Sequence, residues 1–276
     1  MALTVVVSPN DCDIEWVSDV LWGLGVVAIE EIVDAAGIVR LRTSLGENRV
    51  DAEDALTELP DGVTWEFEEV DDRLVDAWRD HVEAFDVGER FTVIPAWRTL
   101  DGLGVAAGRT KLVIEPGSTF GMGDHPTTRG CLCMMEKIPL AGVSVLDVGC
   151  GSGILGIAAL KMGSSTAHGI DINPASVRVS MENARANGVE ANWSVSTESL
   201  SSVDDAFDVV VANILAPVLI DLSDEISRRV GDGGHLILSG VLDGRYDHVL
   251  AHFVDFELTE RVVIDGWATL CLKRHD

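Results

Sequence analysis

Four short apolar runs in the second half of the chain show no alternation of polar and apolar side chains: Val143–Val148, Thr166–Ile170, Phe207–Ala212 and His235–Leu238. Strands of that kind are buried on both faces. Between the runs, apolar residues recur at helical spacing over Ile154–Met162, Pro174–Asn187 and Ala216–Val230. A sheet covered on both faces needs a layer on each side, and alternating helices supply both. The pattern predicts a parallel, doubly wound α/β sheet. The two closing segments, Glu257–Glu260 and Gly266–Leu272, have no helix between them. They predict an antiparallel hairpin at the sheet edge.

The first seventy residues have a different texture. Ala2–Val7 is a β-branched apolar run, hence a strand. Cys12–Leu24 carries Ile14, Val17, Val20, Leu21 and Leu24 at spacings of three and four, hence a helix capped by Asn10 or Asp11. Val26–Val33 and Ile38–Thr43 are strands joined by an Asp34–Gly37 turn, Val50–Leu59 is a helix ended by Pro60, and Val63–Val70 is a half-exposed strand. The order β-α-β-β-α-β is that of the ferredoxin-like split-βαβ unit, a small α+β domain. Asp72–Phe85 predicts a connecting helix around Trp78, followed by short strands at Arg90–Pro95 and Lys111–Glu115. The chain is thus expected to divide into an N-terminal domain over 1–72, a linker over 73–120 and an α/β domain over 121–276.

Acids outnumber Lys and Arg 46 to 20, giving a formal net charge of −26. A chain that holds nucleic acid by neutralising phosphates needs the opposite sign. Residues 1–72 alone carry 18 acids and three arginines, a net charge of −15. Such a module suits docking to a basic partner, and an acidic surface that keeps the protein soluble in salt gives the same composition. No window of 18 consecutive apolar residues exists, so no membrane span is expected. The start of the chain lacks a basic segment ahead of an apolar one, so no secretory signal is expected. Five scattered cysteines suit a reducing, cytoplasmic setting, and the Cys131-x-Cys133 pair has no second cluster to complete a metal site.

The strongest local signal is Val145-Leu146-Asp147-Val148-Gly149-Cys150-Gly151-Ser152-Gly153, which leaves a predicted strand and opens a predicted helix. Glycines there let a ligand approach backbone N–H groups closely. The dinucleotide fingerprint G-x-G-x-x-G would place its third glycine at 154, which is Ile154. Asp147 disfavours a pyrophosphate and tolerates a cation, and it can equally hold backbone N–H groups of the loop. The next strand ends in Asp171, where nucleoside-binding sheets hold ribose hydroxyls. Asn173 and Pro174 then provide a cap and first turn for the following helix.

These residues resemble the S-adenosylmethionine site of class I methyltransferases, whose sheet has seven strands. Two further segments, Phe120-Gly121-Met122-Gly123-Asp124-His125-Pro126-Thr127-Thr128 and Val211-Ala212-Asn213-Ile214-Leu215-Ala216, resemble the ribosomal protein L-eleven methyltransferase family. So do Trp78-Arg79, Ile94-Pro95-Ala96-Trp97 and Trp267-Ala268-Thr269-Leu270. Met122 and Asp124 stand where the family usually has threonine, and Pro217 where glycine is common.

The resemblance implies S-adenosylmethionine as cofactor, with Gly123, Thr128, Asp147, Gly149, Gly151, Asp171 and Asn213 around it. It also implies methylation of lysine side chains on a basic ribosomal protein, with the α-amine as a further acceptor, and substrate recognition by the N-terminal domain. Asn213 is the expected catalytic residue, its amide oxygen orienting the attacking amine. One of Thr127 and Thr128 is expected to cap the helix that follows, and His125 is either a base or a loop-shaping residue. The tetrapeptide at Asn213 lacks the aromatic that stacks on a flipped base, which also speaks against a nucleic-acid substrate. Another protein or a small amine as acceptor, or a non-catalytic module that binds the cofactor and docks a basic partner, fits the same motifs.

Overall fold

The computed structural model describes residues 3–10, 12, 14–24, 26, 29–33, 37–45, 49–60, 62–68, 83–98, 106, 108–115, 117 and 119–275. The chain separates into two compact units, Met1–Val82 and Glu83–Asp276.

In the first unit, β1 (Thr4–Ser8), α1 (Ile14–Gly23), β2 (Ile29–Val33), β3 (Val39–Ser44), α2 (Arg49–Leu56) and β4 (Thr64–Glu68) follow in order. The sheet order is β2-β3-β1-β4 with every pairing antiparallel, as a split βαβ unit requires. Val5, Val7, Leu41, Val17, Leu21 and Leu56 form its buried centre. Arg42 lies across β3 between Glu30 and Glu68, at 3.0 and 2.9 Å. The second helix stops at Leu56 rather than Leu59. Residues 57–59 turn instead, because a residue before proline (here Pro60) is disfavoured in the helical region. Of the expected Asp34–Gly37 turn only Gly37 is described, at φ +82°. Most of the expected helix around Trp78 lies outside the described residues, and its last residue, Phe85, belongs to a strand.

The second unit opens with a three-stranded sheet, β5 (Phe85–Val87), β6 (Phe91–Pro95) and β7 (Thr110–Ile114), in sequential order. Two charges organise it. The Arg109 guanidinium donates to the carbonyls of Val87, Gly88, Glu89 and Phe91. The Glu136 carboxylate accepts from the N–H groups of Glu89 and Arg90 at 2.9 and 2.8 Å.

The large sheet follows: α3 (Pro126–Met135), β8 (Ser144–Val148), α4 (Ile154–Lys161), β9 (Thr166–Ile170), α5 (Pro174–Ala186), β10 (Trp193–Ser196), β11 (Phe207–Asn213), α6 (Ala216–Asp221), α7 (Ser223–Arg229), β12 (Val230–Leu242), α8 (Tyr246–Leu250), β13 (Phe256–Ile264) and β14 (Trp267–Arg274). Strand order is β10-β9-β8-β11-β12-β14-β13. The first five are parallel, and β14 runs antiparallel to both neighbours. The doubly wound, seven-stranded α/β sheet closed by a hairpin is therefore present. One apolar layer joins Leu132, Met135, Ile157 and Ala158 to Val145, Val209 and Val211 of the sheet. The other joins Leu219, Ile226 and Phe253 to Leu146, Val210, Leu236 and Leu238.

Two asparagines tie the small sheet to α5. Asn187 accepts from the Val113 N–H at 2.9 Å and donates to the Val113 carbonyl at 2.7 Å. One helical turn earlier, Asn183 does the same with Glu115, at 2.9 Å each way. The rise over four helical residues, about 6 Å, nearly matches the rise over two strand residues, about 6.6 Å. Two side-chain amides therefore serve the strand as a neighbouring strand would.

Three elements depart from the sequence pattern. The edge strand β10, Trp-Ser-Val-Ser, is too short and polar to stand out. The expected helix Ala216–Val230 is two helices broken at Leu222, where the Ser223 hydroxyl bonds the Ile220 carbonyl, and Val230 already pairs with Phe207 as strand. The fifth parallel strand is much longer than His235–Leu238, and the glycines that precede and follow that run, with their low strand propensity, hide the extra length in the sequence.

Candidate functional site

The carboxyl ends of β8, β9 and β11 converge, which is where open α/β sheets place their sites. The chain leaves β8 through Gly149 and Gly151 at φ +71° and +52°. A Cβ on Gly149 would lie 2.4 Å from the Ile214 methyl, and one on Gly151 would lie 2.5 Å from the Phe120 carbonyl oxygen. Backbone geometry and space both demand glycine here. The Gly149 and Cys150 N–H groups donate to the Ile170 carbonyl, which binds the turn to the end of β9. Ser152 fastens it on the other side: its N–H donates to the Phe120 carbonyl at 2.9 Å, and its hydroxyl donates to the Gly121 carbonyl at 2.6 Å.

Asp171 follows β9 directly. One carboxylate oxygen accepts from the Gly151 N–H and the other from the Asn173 N–H, each at 2.8 Å. Asn173 caps α5 by accepting from Ala175 at 2.9 Å, with Pro174 in the first turn as expected. That leaves Asp171 free of a capping duty. It is half-buried, and each of its oxygens has a second lone pair for a ligand hydroxyl.

Asp147 stands behind the loop rather than in its mouth. It is 1% exposed and accepts from the Gly156 N–H in α4 at 3.0 Å. Burial pushes its carboxyl up to about 7, and the Asp171 charge adds to the shift. Of the two sequence readings, its contacts match the one in which it holds backbone; the group it holds is in α4, not in the loop.

The Phe120–Thr128 segment packs along the loop. Gly123 is buried, with Val93 and Ile154 too close for a side chain. The cap of α3 is neither threonine: His125 fills that position, its Nδ1 accepting from the Thr127 N–H at 3.4 Å and lying 2.8 Å from the Thr127 hydroxyl. The ring of His125 sits edge-on between Phe120 and Trp267, centroids 5.3 and 5.4 Å away. Burial lowers its pKa, partly opposed by Asp124. A neutral ring committed through Nδ1 to the helix start is a loop-shaping group. Thr128 is fully buried, and its hydroxyl oxygen accepts from Asn213 Nδ2 at 3.4 Å. Asn213 ends β11, and the next residue, Ile214, lays its methyl on Gly149.

The structure thus brings Thr128, Gly149, Gly151, Asp171 and Asn213 to one end of the sheet, with Gly123 and Asp147 packed behind. Sequence reasoning passed over Ser152 and Ile214. Ser152 lay inside the glycine motif itself, and Ile214 carried no polar group to mark it. Cys131 is buried and Cys133 half-buried on α3, and burial raises the pKa of both thiols. Among the described residues no group of three metal-ligating side chains occurs.

A parallel sheet closed by an antiparallel hairpin, with a glycine turn after its central strand and an acid after the next, defines the class I methyltransferases. The family described as "Ribosomal protein L11 methyltransferase" matches residues 28–275. The chain belongs to the ribosomal protein L11 methyltransferase family. A ribosomal protein L11 methyltransferase of Desulfosudis oleivorans is 36% identical over 249 residues, 86% of this chain and 82% of that one. One from Citrifermentans bemidjiense is 40% identical over 203 residues, 71% of this chain and 65% of that one. The crystal structure of a ribosomal protein L11 methylase from Lactobacillus delbrueckii subsp. bulgaricus superposes with a TM-score of 0.65 at 29% identity, covering 71% of this chain and all of that one.

Proposed function

We propose that the protein moves methyl groups from S-adenosylmethionine to lysine side chains, and to the α-amine, of ribosomal protein L11. The residues present fit the cofactor. The glycine turn is a cradle that any Cβ would fill, and Asp171 offers acceptor lone pairs suited to the two hydroxyls of an unphosphorylated ribose. When bound, the cofactor supplies a methyl on a sulfonium that leaves as a neutral thioether once an amine lone pair attacks the methyl carbon. Thr128, Gly149, Gly151, Asp171 and Asn213 are the residues that would hold it, with Gly123 and Asp147 packed behind.

The observation that carries the reading is the Asn213–Thr128 pair beside Gly149. With Nδ2 given to Thr128, Asn213 Oδ1 is left to accept from the N–H of an amine and to aim its lone pair. Displacement in line needs alignment first. It also needs a neutral amine, and lysine's reference pKa of about 10.4 must be offset at neutral pH. Proton loss to water before attack, with closure against solvent, meets that need without a protein base.

The acidic N-terminal unit, residues 1–72 of which carry a net charge of −15, is the platform on which the basic ribosomal protein docks, and the second unit, from Glu83, is the methyltransferase domain. The same charge disfavours a direct nucleic-acid partner. Among the described residues no helix is long and apolar enough to cross a membrane, and we place the enzyme in the cytoplasm with its ribosomal substrate. Incubation of the protein with purified ribosomal protein L11 and S-adenosylmethionine tests the reading by mass spectrometry. The expected result is mass gain in steps of one methyl group. No gain at stoichiometric enzyme would overturn it.

A further inference from the structure

Behind the Asn213–Thr128 pair lies a second, fully buried set of hydroxyls. Ser239 is the residue of β12 paired in register with Asn213 of β11, and it is 0% exposed. Its hydroxyl lies 2.8 Å from the Thr269 hydroxyl of β14 and donates to the Thr127 carbonyl at 3.3 Å. Thr269 is 1% exposed. Ser239 therefore holds α3 at the Thr127 carbonyl, the start of the turn that contains Thr128.

The fit is close. A Cβ on Gly130, one turn into α3, would lie 2.1 Å from the Thr269 hydroxyl oxygen. Gly130 has ordinary helical backbone, so its lack of a side chain is a matter of space alone. The helix is pressed onto Thr269 until only hydrogen fits between them. Buried hydroxyls are retained at a desolvation cost unless they are partnered, and partnered ones fix geometry. Here that geometry is the height and rotation of Thr128 over the end of β11.

We propose that Thr269 and Ser239 are positioning residues for methyl transfer: they seat the first turn of α3 so that Thr128 holds the Asn213 amide with its oxygen toward the acceptor amine. Neither touches the reacting atoms. Both act through Thr128, and the proposal rests on the reading of Asn213 as the residue that orients the amine. Loss of the Thr269 hydroxyl releases one side of the helix seat, so Thr128 shifts and the Asn213 amide gains rotational freedom. A displacement of about 1 Å at a reacting group costs up to about a hundredfold in rate.

The experiment uses the full chain with ribosomal protein L11 as acceptor. Thr269→Val, which keeps the shape and removes the hydroxyl, is expected to lower kcat about tenfold or more. The KM for the protein should stay within about twofold, and cofactor affinity by calorimetry should fall by less than kcat does, since Thr128 is only one of the residues that would hold the cofactor. Thr269→Ser restores the hydroxyl and should restore kcat. Gly130→Ala, which crowds the same contact, should lower kcat in the same way. A readout independent of turnover is the side-chain amide resonance of Asn213, assigned by its disappearance in Asn213→Ala. It should shift or broaden in Thr269→Val and return in Thr269→Ser.

If Asn213→Ala abolishes turnover while Thr269→Val leaves both kcat and the amide resonance unchanged, the positioning role is wrong and the reading of Asn213 stands. If Asn213→Ala turns over normally, that reading fails and the positioning role falls with it. A loss in Thr269→Val that Thr269→Ser does not repair, or that appears equally in cofactor affinity, also overturns the proposal.

Discussion

Replacing Asp171 by alanine removes the acceptor of two backbone N–H groups, those of Gly151 and Asn173, both at 2.8 Å. It also removes the group that would take the ribose hydroxyls. The side chain is half-buried, so water can reach the freed N–H groups and the cost to stability is modest, about 1 kcal/mol. The cost to cofactor affinity is larger. A hydrogen bond to a charged group is worth about 1.5–3 kcal/mol, which at 1.4 kcal/mol per tenfold is a Kd raised by about 10 to 150. Asp171→Asn is the sharper test. An amide offers one acceptor where the carboxylate offers two, so its NH2 must face either the Gly151 N–H or the Asn173 N–H. Asparagine should therefore do no better than alanine despite its near-identical shape. Calorimetric titration with S-adenosylmethionine, alongside thermal unfolding of each variant, gives both quantities. An Asp171→Asn protein with unchanged affinity would refute the assignment of the carboxylate to the ribose and of its bonds to the turn.

Asn213→Ala should keep cofactor affinity within about tenfold and lower turnover about a hundredfold or more, because only the alignment of the amine is lost; near-normal turnover at saturating substrate would reduce Asn213 to a turn residue. Asp147 has a folded-state pKa of about 7 against an unfolded value near 3.8, so the native state holds its proton more tightly. Its contribution to stability is fully present below pH 4 and is lost as pH rises toward 7. Asp147→Asn keeps an acceptor for Gly156 and should lack that decline, measured as the difference between the two proteins' unfolding curves from pH 4 to 8. If the acidic unit docks a basic protein, the KM for ribosomal protein L11 should rise with salt, since exposed charges are screened beyond about 8 Å at physiological ionic strength. Glu66→Gln with Glu68→Gln, on β4, should blunt that rise, and a flat response in both proteins would sink electrostatic docking.

The parts of the fold that could be read ahead of the structure were those with a one-dimensional signature. Thr166–Ile170 matches β9 residue for residue, bounded by the serines at 164 and 165 and by Asp171. Asp171 and Gly149 stood out because each sits at a fixed step from a strand end. What stayed hidden depends on contacts between distant segments. Nothing near Thr127 in the sequence shows that His125 will bend back and take the cap, since that choice follows from the packing of Phe120 and Trp267 around its ring. Ser239 and Thr269 look like ordinary strand residues until β12 and β14 are laid beside α3. The break at Leu222 came from a serine hydroxyl competing for a backbone carbonyl, which helical periodicity does not register.

The paired asparagines of α5 also bear on how the molecule opens. Asn183 spends its second amide hydrogen on the Ser152 carbonyl at 2.9 Å, and Asn187 spends its own on the Asn183 carbonyl at 2.8 Å. One run of side-chain amides therefore spans β7, the helix and the glycine turn. Solvent exchange at the Val113 and Glu115 amides requires that run to break, because those hydrogens point at the asparagines rather than at another strand. The small sheet and the turn should then lose protection together, as one cooperative unit. Slower exchange at Glu115 on addition of S-adenosylmethionine would report the tightening of the turn from a position with no direct view of the ligand.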